Sequence, residues 1–257
     1  MNNNLLLAID VGNTDITFGL FDGEELKKTF RIKSDAEFFL DNYREVFVEN
    51  LRSLNVKNAI LSSVNENMND KIILALKSFD IFPMILSPEM CPDMKILTDN
   101  PSATGLDRLA NAYAVRGLTS SPAIVVDIGT AITFDIVSKE GDFIGGLILP
   151  GINMQLESLH NKTNKLPEVS IKNIKLVIGK NTEDAILSGV INGIASAIDG
   201  LISKCKDELG ESPSLYATGG QCQLISSYMS HKFDLADKNL TLKGLNKIAR
   251  SCMLVES

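Results

Sequence analysis

With 257 residues, 44% hydrophobic and 22% charged, the chain has an ordinary globular composition and the length for two lobes of about 100–150 residues. A net charge of −7 argues against a broad nucleic-acid or anionic-membrane surface, so an anionic ligand has to be held by local donors and a metal ion. The cysteines Cys91, Cys205, Cys222 and Cys252 show neither metal-ligand spacing nor a disulfide framework, and two histidines add little to a zinc site. The expectation is a cytoplasmic protein with neither nucleic acid nor membrane as partner. Asn2, Asn3 and Asn4 carry no positive charge, the apolar run 5–9 stops at Asp10, and uncharged stretches such as 185–198 fall short of the roughly 18 apolar residues of a span.

Along the chain, residues 5–9 read as a strand, 10–16 as a tight turn and 17–21 as a second strand. Asp22-Gly23 signals a hairpin into a strand over 26–32. Phe39, Tyr43, Phe47 and Leu51 recur every four residues, which predicts an amphipathic helix over 35–54. A short strand at 59–64 and a helix at 69–79 follow, then a Pro-rich loop with Pro83, Pro88, Pro92 and Pro101, and a helix over 107–116. The second half reopens as the first did, with a strand at 123–126, a turn at 127–131 and a strand at 133–137 that leads to a turn at 139–142. Residues 182–210 predict a long helix with Thr182 as N-cap and an apolar face of Ile186, Val190, Ile194, Ile198 and Leu201. A strand at 214–217, a turn at Thr218-Gly219-Gly220 and a last helix over 242–253 complete the chain.

The repeated opening carries the chemistry. Asp10-Val11-Gly12-Asn13-Thr14-Asp15-Ile16-Thr17 aligns with Asp127-Ile128-Gly129-Thr130-Ala131-Ile132-Thr133 if Asn13 is an insertion. In such a turn Gly lets the backbone approach a phosphate, the Thr hydroxyl and successive N–H groups donate to it, and the Asp can hold a cation or its water. One copy alone equally fits a hairpin whose Asp and Thr cap their own backbone. Two copies, with the third strand-end turn at Gly219-Gly220, outline a cleft between two lobes. A Walker-type loop and a Gly-x-Gly-x-x-Gly helix start are both missing, and the Gly189/Gly193 pair is read as allowing close helix packing. Asp107-Arg108 at a helix start can present a proton-accepting carboxylate and a guanidinium to one ligand, or serve only the helix dipole and the surface. His160 reads as an exposed loop residue.

The motifs IDVGNT at 9–14, NPxxxGxDR at 100–108, VDIGTAITF at 126–134, GGLILPG at 145–151, LHNKTNKLP at 159–167, IGKNT at 178–182, ATGG at 217–220 and LTLKGL at 240–245 together resemble type III pantothenate kinases. The resemblance implies an α/β protein of two duplicated actin-like (ribonuclease H-like) lobes. Each is a mixed sheet with flanking helices, at 1–117 and 118–257, with an ATP cleft between them and the long helix at a dimer interface. It implies transfer of the ATP γ-phosphoryl group to pantothenate, with Mg²⁺ near Asp10 and a monovalent cation, K⁺ or NH₄⁺, at Asp127. ATP contacts fall on residues Asp10, Val11, Gly12, Asn13, Thr14, Asp15, Ile16 and Thr17, on Thr130, and on Gly219 and Gly220. The acceptor site falls on Thr98, Gly105, Leu106, Asp107 and Arg108, with Asp107 the catalytic proton acceptor. Thr182 completes that site from the neighbouring subunit of a homodimer. The chain departs from the family pattern at Thr98, where a substrate-contacting Tyr is usual, and at Ala103-Thr104 and Asn164. Other readings are a kinase of another small hydroxy acid or sugar, and a non-catalytic relative like the family's Bvg accessory factor branch.

Overall fold

The computed structural model describes residues 5–35, 40–52, 54–63, 66–91, 93–174 and 176–255. They fall into two compact units, residues 1–116 with 239–257 and residues 117–238.

In the first unit, β1 (Leu5–Val11) pairs antiparallel with β2 (Asp15–Asp22), and β2 with β3 (Glu25–Lys33). After α1 (Leu40–Leu51), β4 (Asn58–Ser63) joins β1 in parallel; α2 (Glu66–Lys77) then leads to β5 (Phe82–Ile85), parallel to β4. The sheet order is β3-β2-β1-β4-β5. Central β1 is covered on both faces, so Leu6, Leu7, Ala8 and Ile9 form an unbroken apolar run, whereas edge strand β3 alternates and exposes its lysines. The i+4 series seats Tyr43, Phe47 and Leu51 in the core, with Phe47 edge-on to Phe18 and Phe79. Helix α1 is described over Leu40–Leu51, with Asp35 outside any helix; residues 36–39, Phe39 among them, and Val64 lie outside the described residues. Pro83 is not in a loop but in β5, paired with Ala59, because an edge strand has no further neighbour to need the missing N–H. Helix α3 (Leu106–Val115) follows a 3₁₀ turn at Pro101–Ala103.

The second unit repeats this order. It contains β6 (Ala123–Ile128), β7 (Ala131–Val137), β8 (Phe143–Pro150), α4 (Ile152–Asn161), α5 (Thr182–Leu209), β9 (Ser214–Thr218), α6 (Cys222–Ser226) and β10 (Leu235–Ala236). Its sheet runs β8-β7-β6-β9-β10, the same sequence of antiparallel and parallel partners as the first. Strands β8 and β10 and helix α4 are additional to the elements expected from the sequence. In β8 the Gly145-Gly146 pair, with Gly145 at φ 127°, interrupts the period-two pattern. His160 therefore lies in the last turn of α4, its Nδ1 3.0 Å from Leu166 O.

The N-cap of α5 is Asn181, not Thr182: Asn181 Oδ1 accepts from Asp184 N at 2.9 Å, and Gly210 ends the helix at φ 68°. Contrary to the expected shortfall, α5 is long and apolar enough to cross a membrane by length and composition. Ile186, Val190, Ile191, Ile194 and Ile198 bury that apolar stripe in the core of the second unit. Among the described residues, a Cβ at Gly189 or Gly193 would meet nothing within 4 Å, so neither glycine is needed there for close helix packing.

The last helix, α7 (Leu240–Val255), corrects the expected boundary: it belongs to the first unit rather than to a lobe running to 257. Gly244 packs so closely on α3 that a Cβ would collide with Ala110 O, and Thr241 Oγ1 donates to Asn111 Oδ1 at 2.8 Å in the core.

Candidate active site

The two expected turns occupy equivalent places in the two sheets. In the first unit, Asp10 pairs with Thr17 and Val11 with Ile16 across the β1–β2 hairpin, and Gly12 N donates to Asp15 O at 3.0 Å. In the second, Asp127 pairs with Thr133 and Ile128 with Ile132, and Gly129 N donates to Ala131 O at 3.0 Å. The first turn is one residue longer, as the alignment with Asn13 inserted requires. Val11 and Ile16 are fully buried and anchor the turn, while Asn13, Thr14 and Thr130 are exposed at the tips. Asp15 lies 3.7 Å from Arg31, so that carboxylate faces the neighbouring strand.

Ser34, which no sequence motif marks, braces the first turn. Its Oγ donates to Gly12 O at 2.6 Å and its N–H to Thr14 O at 2.8 Å. In the second turn Gly151 N donates to Thr130 O at 3.1 Å and Gln221 N to Ile128 O at 3.0 Å. A Cβ on Gly151 would lie 2.5 Å from Gly129 O, so only glycine fits there. Gly219, at φ 90°, packs against the Asp127 carboxylate: its Cβ would stand 2.5 Å from Oδ1. Burial pushes the thiol of nearby Cys222 up, and the Asp127 charge adds to that.

Beside each strand-end carboxylate stands a hydroxyl from the parallel strand. Ser62 on β4 is the lateral partner of Asp10, and Thr218 on β9 that of Asp127. Ser62 is 0% and Thr218 1% exposed, yet neither hydroxyl has a hydrogen-bond partner among the described residues. Nothing local in the sequence marks Ser62; Thr218 stands out only as the start of the Gly-rich turn. Among the described residues no three or more His, Cys, Asp or Glu gather as a metal cage. A hard cation fits nonetheless, because Mg²⁺ keeps water and substrate phosphate as most of its shell and asks for one or two protein carboxylates. One strand-end Asp meets that need as an oxygen donor, and the buried hydroxyl beside it stands behind the carboxylate rather than in the ion's shell.

A further group of expected site residues, in the first unit, heads α3. Gly105 is the N-cap, and Asp107 folds back so closely that a Cβ on Gly105 would lie 2.7 Å from Asp107 Oδ1. That oxygen accepts from Arg108 N at 2.9 Å, and Asp107, Leu106 and Arg108 are all half-buried. Thr98 and Thr104 join their hydroxyls at 3.2 Å, tying the preceding loop to the residue before the N-cap. Thr182 is exposed at the first position of α5, in the other unit. A cavity of about 390 Å³ between residues 172–180 and the start of α5 is lined by none of the turn residues.

Duplicated five-stranded sheets with Asp-Gly turns at their leading strand ends define the actin-like fold, and the family model and curated relatives make this chain an ATP-dependent kinase of that fold. A polyphosphate/ATP-glucomannokinase from Arthrobacter shares that fold at 13% identity and a TM-score of 0.52, covering 97% of this chain and 100% of its own. More specifically, the chain belongs to the type III pantothenate kinase family, whose model matches residues 6–204. The type III pantothenate kinase of Syntrophus aciditrophicus is 38% identical over 95% of this chain and 98% of its own. A conserved Campylobacter jejuni protein assigned to the Baf family of transcriptional activators superposes with a TM-score of 0.61 at 26% identity, covering 96% and 99% of the two chains.

Proposed function

We propose that this protein transfers the γ-phosphoryl group of ATP to the primary hydroxyl of pantothenate, giving 4'-phosphopantothenate, the first step of coenzyme A synthesis. The observation that carries the acceptor side is Asp107, with one oxygen held by the Arg108 N–H and the other without a hydrogen bond among the described residues. A carboxylate fixed in that way can take the proton of an alcohol as it attacks, an effect of about 10²–10⁴-fold. Arg108 and the Gly105–Leu106 backbone orient the acceptor; the segment from Asp10 through Thr17, with Thr130, Gly219 and Gly220, supplies backbone N–H and hydroxyl donors to ATP. Asp10 would hold Mg²⁺ through water, and Asp127 a monovalent cation, K⁺ or NH₄⁺. When bound, these ions neutralise the triphosphate charge that would otherwise repel both carboxylates.

The assay is ADP release on adding pantothenate to enzyme with Mg-ATP and K⁺, for the parent and Asp107→Asn. The parent should turn over and the variant should lose about 10²–10⁴-fold. Near-parental turnover by the variant removes Asp107 from the role of base.

The protein acts in the cytoplasm as a homodimer in which Thr182 reaches the partner's acceptor site. Two features support the dimer. The outer face of α5 is lined by Gly189, Gly193 and Gly200 with open space above each, and Leu176, Val177 and Ile178 beside its start are more than 60% exposed. Light scattering on the parent and on Gly193→Arg tests it; a parent that runs as a monomer sinks it.

A different acceptor is the second reading, favoured by the Thr98–Thr104 hydroxyl pair, which is a polar lip for a smaller, more hydroxylated substrate. Screening hydroxy acids and sugars for stimulated ATP turnover separates the two. Nucleotide binding without turnover on any acceptor would instead point to the non-catalytic, Baf-like reading.

A further inference from the structure

We propose that Ser62 and Thr218 are matched positioning residues, each fixing the strand-end carboxylate beside it when that carboxylate takes up its cation. The kinase reading above supplies the identity of the cations; the hydroxyls themselves are read from the geometry. Asp10–Ser62 and Asp127–Thr218 are lateral pairs on parallel strands, β1–β4 and β6–β9, at the same place in two sheets of identical order. Lateral partners project from one face of a sheet at roughly 4.8 Å spacing, within reach of a hydroxyl and a carboxylate whose side chains can turn. Both hydroxyls are sealed from solvent and have no hydrogen-bond partner among the described residues.

A buried hydroxyl without a partner is destabilising, and alanine or valine would fill either place without that cost. That both copies of the fold keep one, next to the acidic group, is accounted for by a bond made in the loaded state. The burial excludes Ser62 and Thr218 as direct ligands. It suits groups that donate to the carboxylate from behind, holding one oxygen so that the other faces the ion or its water, as outer partners of metal-binding carboxylates do. Gly219 crowds Asp127 Oδ1 from the adjacent turn, directly after Thr218 at the end of β9.

The test uses the full chain, a non-hydrolysable ATP analogue and no acceptor. Mn²⁺ binding is followed by water-proton relaxation and K⁺ binding by the ion-dependent rise in melting temperature. Ser62→Ala should weaken Mn²⁺ about tenfold and leave K⁺ unchanged, and Thr218→Val should weaken K⁺ about tenfold and leave Mn²⁺ unchanged. Ser62→Thr and Thr218→Ser, which keep the hydroxyl, should restore binding. In buffer free of both ions, the Ala and Val variants should melt at or above the parent, because each loses an unpartnered hydroxyl. Unchanged ion affinities, equal loss of both ions, a lower ion-free melting temperature or failure of the Ala or Val variants to fold would each overturn the proposal in favour of a structural hydroxyl. A parent that binds the analogue and shows this pattern but does not phosphorylate pantothenate leaves the proposal standing and removes only the acceptor. A parent that binds neither ion overturns both.

Discussion

Gly219 and Gly189 show how differently one residue type can be constrained. At Gly219 the left-handed φ of 90° and the approach to Asp127 Oδ1 and the Ile128 carbonyl exclude a Cβ, so Gly219→Ala should lose about 1–3 kcal/mol and most nucleotide binding. Denaturant melts and analogue titration measure the two losses. At Gly189, mid-helix with open space above it, alanine should stabilise the unit by about 0.5–1 kcal/mol in the same melts. Thr98→Val removes one side of the Thr98–Thr104 bond, a loss of about 1 kcal/mol that should raise KM for pantothenate roughly fivefold with little change in kcat. An equal fall in kcat would place the bond in the transition state instead. The Asp and Gly positions of both turns are legible in the sequence because strand–turn–strand chemistry is local. Ser34 and Ser62 are not, since their roles depend on which strands lie beside β1 and β2.

Helix α5 is where local signals and tertiary context divide most clearly. Its length and apolar stripe follow from spacing alone, but its cap is one residue earlier than the Thr182 expected, because Asn181 reaches Asp184 N. Asn181→Ala should cost about 1 kcal/mol, read from thermal melts, while Thr182→Ala should cost almost nothing in stability. Farther along, Asp199 accepts from the N–H groups of Ser230 and His231 at 2.7 and 2.9 Å and sits 3.0 Å from His231 Nδ1, tying α5 to the segment before β10. Burial works against its ionisation, but the Ser230 and His231 bonds outweigh it and hold the carboxyl below its ordinary value. A folded value below the unfolded one means that this stability is fully present above the ordinary carboxylate range and is lost as pH falls through the folded value. Melts of the parent should therefore drop on the acid side of about pH 4, and Asp199→Asn should flatten that limb.

At the scale of the molecule, the first unit is closed by residues from both ends of the chain. Leu242, Leu245, Ile248 and Ala249 of α7 are buried there, and Gly244 and Thr241 lock α7 on α3. A chain ending at Lys238 should consequently lose the cooperative melt of the first unit, as seen by circular dichroism and proteolysis, while residues 117–238 keep a protease-resistant core. The repeated Asp-Gly turns, the one-residue difference between them, the long helix and the Gly105–Arg108 segment at the head of α3 are legible from sequence, because each is encoded by neighbours a few residues apart. The membership of α7 in the first unit, the place of Pro83 in an edge strand and the lateral pairing of Asp10 with Ser62 and of Asp127 with Thr218 appear only in three dimensions. Lateral register between strands joined by a helical crossover is set by which faces become buried, and no short stretch of sequence carries that information.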